Sequence, residues 1–237
     1  MATTTKHEIG TWDTFHNNGP FPTKVLYKTT LEGKGNMPSL IDRYNDAAAE
    51  IQRLIKLAST GKEGFRAFGT GWSMSHIAHQ KDNMHFNADM NIKKAINADE
   101  LHLDTNYLRE NLFFFQCGNV IKEMSKFLFD HGKSLKATGA SNGQTIGGCI
   151  STGVHGSALD VGAMQDSIVG INLITGNGAK DIVYLERHTK PVLNDQFAAA
   201  INARVIRNDG LFNAALVSLG SFGFIHCIVI EGETDSY

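Results

Sequence analysis

Apolar residues recur along this chain with two periods, and the places where one period gives way to the other mark the predicted elements. Ile51, Leu54, Ile55 and Ala58 repeat at the i, i+3, i+4, i+7 spacing of one helical face. Asn45 supplies a candidate cap, so a helix is predicted over 46–59, ended by Gly61 and Gly64. Ile121, Met124, Phe127 and Leu128 make a second stripe, predicting a helix from Val120 to His131 that Gly132 stops. Shorter helices are expected over 195–203 and 210–219. Short apolar runs bounded by turn residues predict strands over 24–27, 64–68, 84–86, 100–103, 112–116, 167–174 and 181–185, with a final β-prone run closing at Ile230. Gly176-Asn177-Gly178 reads as the turn of a hairpin. Residues 1 to about 40 are polar and read as irregular apart from the first short strand, with turns at Gly19-Pro20 and Pro22. Helix-plus-strand clusters before and after about residue 105 give an α+β or mixed protein.

Composition narrows the function. The 237 residues are 42% hydrophobic and 19% charged, enough for a sizeable core. A net charge of −2, with Lys and Arg scattered, gives no electrostatic case for nucleic acid or an anionic membrane as partner. Cys117, Cys149 and Cys227 are widely spaced among apolar or small residues and read as buried free thiols rather than a disulfide frame or a metal site. A reducing, cytoplasmic setting fits them. The first ten residues lack a signal-peptide run and no stretch approaches a membrane span, so a soluble protein is expected.

The candidate chemistry lies in glycine. Residues 136–157 carry glycine at 139, 143, 147, 148, 153 and 156, interleaved with Ser141, Thr145, Ser151, Thr152 and Ser157. Such a run lets backbone approach a ligand closely and turn N–H groups and hydroxyls toward a phosphate or polar cofactor. A solvated Gly/Ser connector is the alternative, but Ile146, Cys149, Ile150 and Val154 argue for an ordered, buried segment. A second glycine turn, Gly69-Thr-Gly-Trp-Ser73, follows a predicted strand. Two such turns suggest a pyrophosphate gripped from two sides. Neither standard nucleotide motif is met: Gly69-x-Gly71 lacks the third glycine and downstream acid of a Rossmann fingerprint, and there is no Walker lysine.

Three anchors in order resemble the flavoproteins of the vanillyl-alcohol oxidase and p-cresol methylhydroxylase (PCMH) type over roughly residues 40–232. Arg66-Ala-Phe-Gly-Thr-Gly-Trp-Ser73 is similar to the family's pyrophosphate loop. Gly147-Gly-Cys-Ile-Ser-Thr-Gly-Val-His-Gly156 resembles the sugar-lactone and alditol oxidase branch, and Ser218-Leu-Gly-Ser-Phe-Gly-Phe-Ile225 the turn before a final flavin-contacting strand. The resemblance implies two α+β subdomains, over 40–105 and 106–232 after an N-terminal extension of residues 1–39, with FAD in the groove between them. It implies that Phe68, Gly69, Thr70, Gly71, Trp72 and Ser73 meet the pyrophosphate. Ala140, Ser141, Thr145, Gly148, Thr152 and His155 would line the flavin and ribityl side, and Gly223 and Ile225 would close the pocket. The alternative reading of Thr145 and Thr152 is as ordinary turn hydroxyls, and that of His155 as a structural histidine bonded to a carbonyl.

The departures from the family pattern carry expectations of their own. Many members of that branch attach flavin covalently to a histidine at the position where this chain has Trp72, so FAD is expected to be held non-covalently. His76 and His79 are displaced by four or more residues, and Cys149 follows the glycine pair rather than preceding it. Trp72 stacks on the cofactor or covers it. Small residues at Gly139 and Ala140 would leave oxygen a route to the flavin, favouring an oxidase over use of another acceptor. The resemblance further implies hydride transfer from a CH–OH donor such as a polyol, sugar or aldonolactone. Family members continue into a substrate domain that supplies the base, so this chain is expected to be the flavin half of a longer protein and no catalytic residue is named. A flavin-binding module without turnover of its own is the alternative.

Overall fold

In the computed structural model the described residues are 2–31 and 39–234. Residues 32–38 of the expected N-terminal extension and the closing residues 235–237 lie outside them. In chain order the elements are β1 (Thr3–Trp12), β2 (Phe21–Thr30), α1 (Leu40–Thr60), β3 (Phe65–Phe68), β4 (Asn83–Phe86), β5 (Lys93–Ala95), β6 (Leu112–Gln116), α2 (Ile121–Phe129), β7 (Lys133–Ser134), α3 (Ile146–Thr152), β8 (Ile168–Ile174), β9 (Ile182–Glu186), α4 (Asp195–Ala200), β10 (Arg204–Arg207), α5 (Asp209–Leu216), β11 (Phe224–Glu231) and β12 (Glu233–Thr234). They build a four-stranded sheet, β1-β2-β4-β3, and a six-stranded sheet, β10-β9-β8-β11-β6-β5; β7 and β12 pair separately.

The larger sheet is buried on both faces, which is why its strands read as continuous apolar runs rather than alternating ones. The pleat sends Leu112 and Phe114 of β6, with Cys227 and Val229 of β11, into one core shared with Tyr44, Ile51 and Leu54 of α1 and Tyr27 of β2. Phe113, Phe115, Ile228 and Ile230 point the other way, onto Met124 and Leu128 of α2, Ile150 of α3 and Phe212 of α5. Helix α1 therefore lies between the two sheets, and the Tyr44 hydroxyl donates to Asn172 Oδ1 of β8 at 2.7 Å.

The helix begins six residues before the predicted start. Its cap is Ser39, whose Oγ accepts from the Asp42 N–H at 3.1 Å while Asp42 Oδ2 accepts from the Ser39 N–H at 3.2 Å, a reciprocal capping box. Asn45 sits inside the helix and donates to the Ala200 carbonyl at 2.9 Å. The N-terminal segment read as irregular is a long hairpin in the first sheet. Strand β1 lies at a sheet edge with most of its residues exposed, so it carries no apolar period. The strand expected over 100–103 is absent: Asn97 and Glu100 cap each other through a 3-10 turn over Ala98–Glu100, and Leu103 is 99% exposed. The hairpin at Gly176-Asn177-Gly178 is present between β8 and β9, closed by Asp181 Oδ2 accepting from the Gly178 N–H at 2.8 Å.

Two histidines lie fully inside. A register shift in β11 around His226 turns its ring onto Tyr44, centroids 4.0 Å apart, where Gln116 Nε2 lies 3.0 Å from its Nε2. His85 of β4 meets the Thr29 hydroxyl at 2.9 Å. Burial depresses each imidazole to about 3 from 6.5. The unfolded chain binds these protons first, so stability is complete above pH 6.5 and is lost as pH falls toward the folded values. Glu186, raised by burial, works in the opposite sense as one group against two. We predict that lowering pH from 7 to 5 reduces the unfolding free energy by about 2 kcal/mol per ring before that offset, measured by urea titration; a midpoint independent of pH contradicts this.

Candidate functional site

At the end of β3 the chain turns through residues 69–73 and meets a loop from the other half of the molecule. The approach is close: a Cβ built on Gly69 would lie 1.9 Å from Thr145 Oγ1, so only glycine fits there. Gly71 takes φ 73°, a left-handed conformation that glycine adopts freely. The Thr70 hydroxyl donates to the Gly143 carbonyl at 2.6 Å, tying the two loops together. From the opposite wall comes α3, with Thr145 at its N-cap and Gly153 ending it in the left-handed region. This helix was not visible as one in the glycine-rich sequence; Ile146, Cys149 and Ile150 are buried beneath it, as an ordered segment requires. The third wall is the turn before β11, where a Cβ on Gly223 would stand 2.7 Å from the Ile174 carbonyl oxygen.

These walls enclose a cleft of about 410 Å³, within the size range of small-molecule sites. Of the residues expected at the site, Phe68, Gly69, Thr70, Gly71, Trp72, Ser73, Thr145, Gly148, Thr152, Gly223 and Ile225 line it. Ala140, Ser141 and His155 do not. Ala140 is exposed, as is His155, whose Nδ1 lies 2.9 Å from the Gly156 carbonyl oxygen, the structural bond that was its alternative reading. Gly139, paired with Ala140 in the oxygen-route expectation, is also outside the lining. Thr152 lines the cleft while its hydroxyl donates to the Gly148 carbonyl at 3.0 Å.

The lining mixes apolar side chains such as Ile55, Phe65 and Ile174 with polar groups that lack protein partners. Among the described residues the backbone N–H groups of Thr70, Gly71, Trp72 and Ser73 find no protein acceptor. Gln144 Oε1 and Asn87 Oδ1 are buried acceptors with no partner, and both residues line the cleft. Buried polar groups left unpaired cost stability, so a site that gathers them suits a ligand with its own donors and acceptors. Among the described residues Arg66 is the one charged side chain in the lining; its Nη2 donates to the Leu219 carbonyl at 2.6 Å across the cleft. Donor N–H groups and one guanidinium fit an anionic group such as a diphosphate, and the amide oxygens fit hydroxyl or N–H donors.

Gln144 and Asn87 carry no sequence signal, because an unpartnered buried oxygen leaves no pattern; Arg66 lies within the first glycine motif, whose spacing assigns it no contact. Trp72 stacks on Phe15, with centroids 4.1 Å apart and planes at 14°. His79 Nε2 pairs with the Pro22 carbonyl at 2.8 Å and His76 rests against Phe21 at 5.9 Å. Burial pushes the Cys149 thiol up to about 12, leaving a poor nucleophile.

Residues 44–180 match the family model of the FAD binding domain. The chain belongs to that family. It is similar to D-arabinono-1,4-lactone oxidase of Candida glabrata, 26% identical across 74% of this chain and 29% of that protein. It is also similar to L-gulonolactone oxidase of Bos taurus, 24% identical across 77% of this chain and 34% of the relative. A third relative is the mitochondrial L-galactono-1,4-lactone dehydrogenase of Brassica oleracea, 24% identical across 62% and 23%. The chain thus spans about a third or less of the length of these relatives. Among solved structures, cholesterol oxidase from Brevibacterium sterolicum superposes with TM-score 0.63 at 12% identity, over 98% of this chain and 38% of the other. Alkyldihydroxyacetonephosphate synthase gives 0.62 at 16%, over 97% and 38%. At such identities the likeness speaks for the fold, which is the α+β FAD-binding fold expected.

Since the Gly69 contact sets the loop spacing, Gly69→Ala is expected to weaken FAD binding by about tenfold or more in a fluorescence titration, with the secondary structure by circular dichroism unchanged. An unaltered affinity contradicts the role given to that contact.

Proposed function

We propose that this chain is the cofactor-binding part of an FAD-dependent oxidoreductase acting on the CH–OH group of an aldonolactone or related sugar or polyol, with FAD held non-covalently. The observation that carries the reading is the cleft itself: two glycine loops from different sheets, unpaired N–H groups at residues 70–73 and a single guanidinium, within a matched FAD domain. Bound FAD would supply hydride acceptance from a C–H beside a hydroxyl, and the protein orients and shields it. The 69–73 loop would take the diphosphate through backbone N–H groups, with Arg66 as its counter-charge. The Thr145 hydroxyl, the Gly148 N–H and the orphaned Gln144 and Asn87 oxygens would meet the polar edge and ribityl hydroxyls. Gly223 and Ile225 would close the apolar side.

Relatives named lactone oxidases favour oxygen as the acceptor, with a C-terminal substrate domain supplying the base. Their names argue against a module without turnover. Cytoplasmic placement is part of the proposal, supported by three buried free thiols. Among the described residues no helix is long and apolar enough to cross a membrane.

The test is the visible spectrum of the purified chain before and after acid precipitation. A flavin band passing wholly into the supernatant is the expected result. Colour retained by the pellet contradicts non-covalent attachment, and a colourless protein that takes up no added FAD removes the reading altogether.

A further inference from the structure

The matched family region begins at residue 44, yet the loop of the β1–β2 hairpin, residues 13–20, packs on the glycine turn that lines the cleft. That loop is fastened to the glycine turn at three points. The Phe15 N–H donates to the Gly71 carbonyl at 2.9 Å, Asn18 Nδ2 donates to the Met74 carbonyl, and the Phe15 ring stacks on Trp72. Asp13 holds the loop in shape, its Oδ1 accepting from the N–H groups of Thr14 and Gly19 at 2.7 Å each. The indole packs against the central loop so tightly that a Cβ on Gly143 would lie 2.4 Å from Trp72 Cζ2. Two segments distant in sequence therefore converge on one indole, which itself lines the cleft.

Phe15 is 58% exposed, so its ring contributes little to the core. What its contacts do hold is the conformation of residues 71–74, where glycine at 71 gives the chain much freedom in the absence of such restraint. A loop that must present several N–H groups together loses affinity if it has to be ordered at the moment of binding.

We infer that the hairpin loop is a clasp of the cofactor site. Phe15 is a positioning residue that holds Trp72 and the 69–73 turn in the conformation that binds the FAD diphosphate. The inference rests on FAD occupying this cleft. Trp72 reports on it directly, since the chain has two tryptophans and Trp12→Phe, which keeps an aromatic ring against Phe68, leaves Trp72 as the sole indole.

The experiment compares the full chain with Phe15→Ala and Phe15→Tyr, each in the Trp12→Phe background. The readouts are FAD dissociation constant and off-rate, indole emission, and thermal midpoint without FAD. Phe15→Ala is expected to shift indole emission to the red, raise Kd about fivefold or more chiefly through faster release, and leave the apo midpoint nearly unchanged, with Phe15→Tyr restoring wild-type values. Unchanged Kd and off-rate in Phe15→Ala overturn the clasp. So does a large fall in the apo midpoint, which would mark Phe15 as a fold residue only. Failure of the Trp12→Phe chain with Phe15 intact, and of wild type, to bind FAD is a separate result that sinks the proposed function, and the clasp with it.

Discussion

The geometry of the cleft depends on one contact that admits no side chain, Gly69 against Thr145. The two sheets are spaced by α1, whose apolar faces bury against both, and at the cleft the walls meet where the bare backbone of Gly69 faces the Thr145 side chain. There Thr70 binds the Gly143 carbonyl and Arg66 the Leu219 carbonyl. A methyl group at Gly69 would have to displace Thr145, the N-cap residue of α3, and with it the wall that α3 forms. Core packing sets the coarse spacing and glycine sets the fine one.

Buried polarity is handled in two ways. In the core, several polar groups are paired: the Glu186 carboxylate, fully enclosed, accepts from Arg207 at 2.7 Å and from the N–H groups of Val192 and Leu193, and Asn172 bridges Tyr44 and the Val183 carbonyl, whereas His85 Nδ1, His226 Nδ1 and Asn119 Oδ1 are buried without a partner. At the cleft, Gln144, Asn87 and the N–H groups of the 69–73 turn are left open. The free energy withheld there is recovered when a ligand supplies the missing partners.

What the sequence disclosed follows the same physics. Helical stripes on α1 and α2 and the apolar runs of β6, β8 and β9 were readable because burial on one or two faces imposes a period. Strand β1 was not, being a polar edge strand. Helix α3 was hidden by Gly147 and Gly148, poor helix formers held in place by packing against Cys117 and the core. The glycine loops stood out because close backbone approach demands glycine, and eleven expected residues do meet in one cleft. Ala140, Ser141 and His155 show the limit: proximity in sequence to a glycine turn does not decide which way the chain faces. The Phe15 stack joins residues 57 positions apart, a pairing without a local signal.

The central claim is that FAD lies across both glycine loops of this cleft. Amide hydrogen exchange of the chain with and without FAD tests it most directly. The account predicts that FAD slows exchange at residues 69–73, 144–152 and 219–225 together, leaving β9 and β10 unchanged. Protection confined to one loop, or centred away from these three segments, would contradict it.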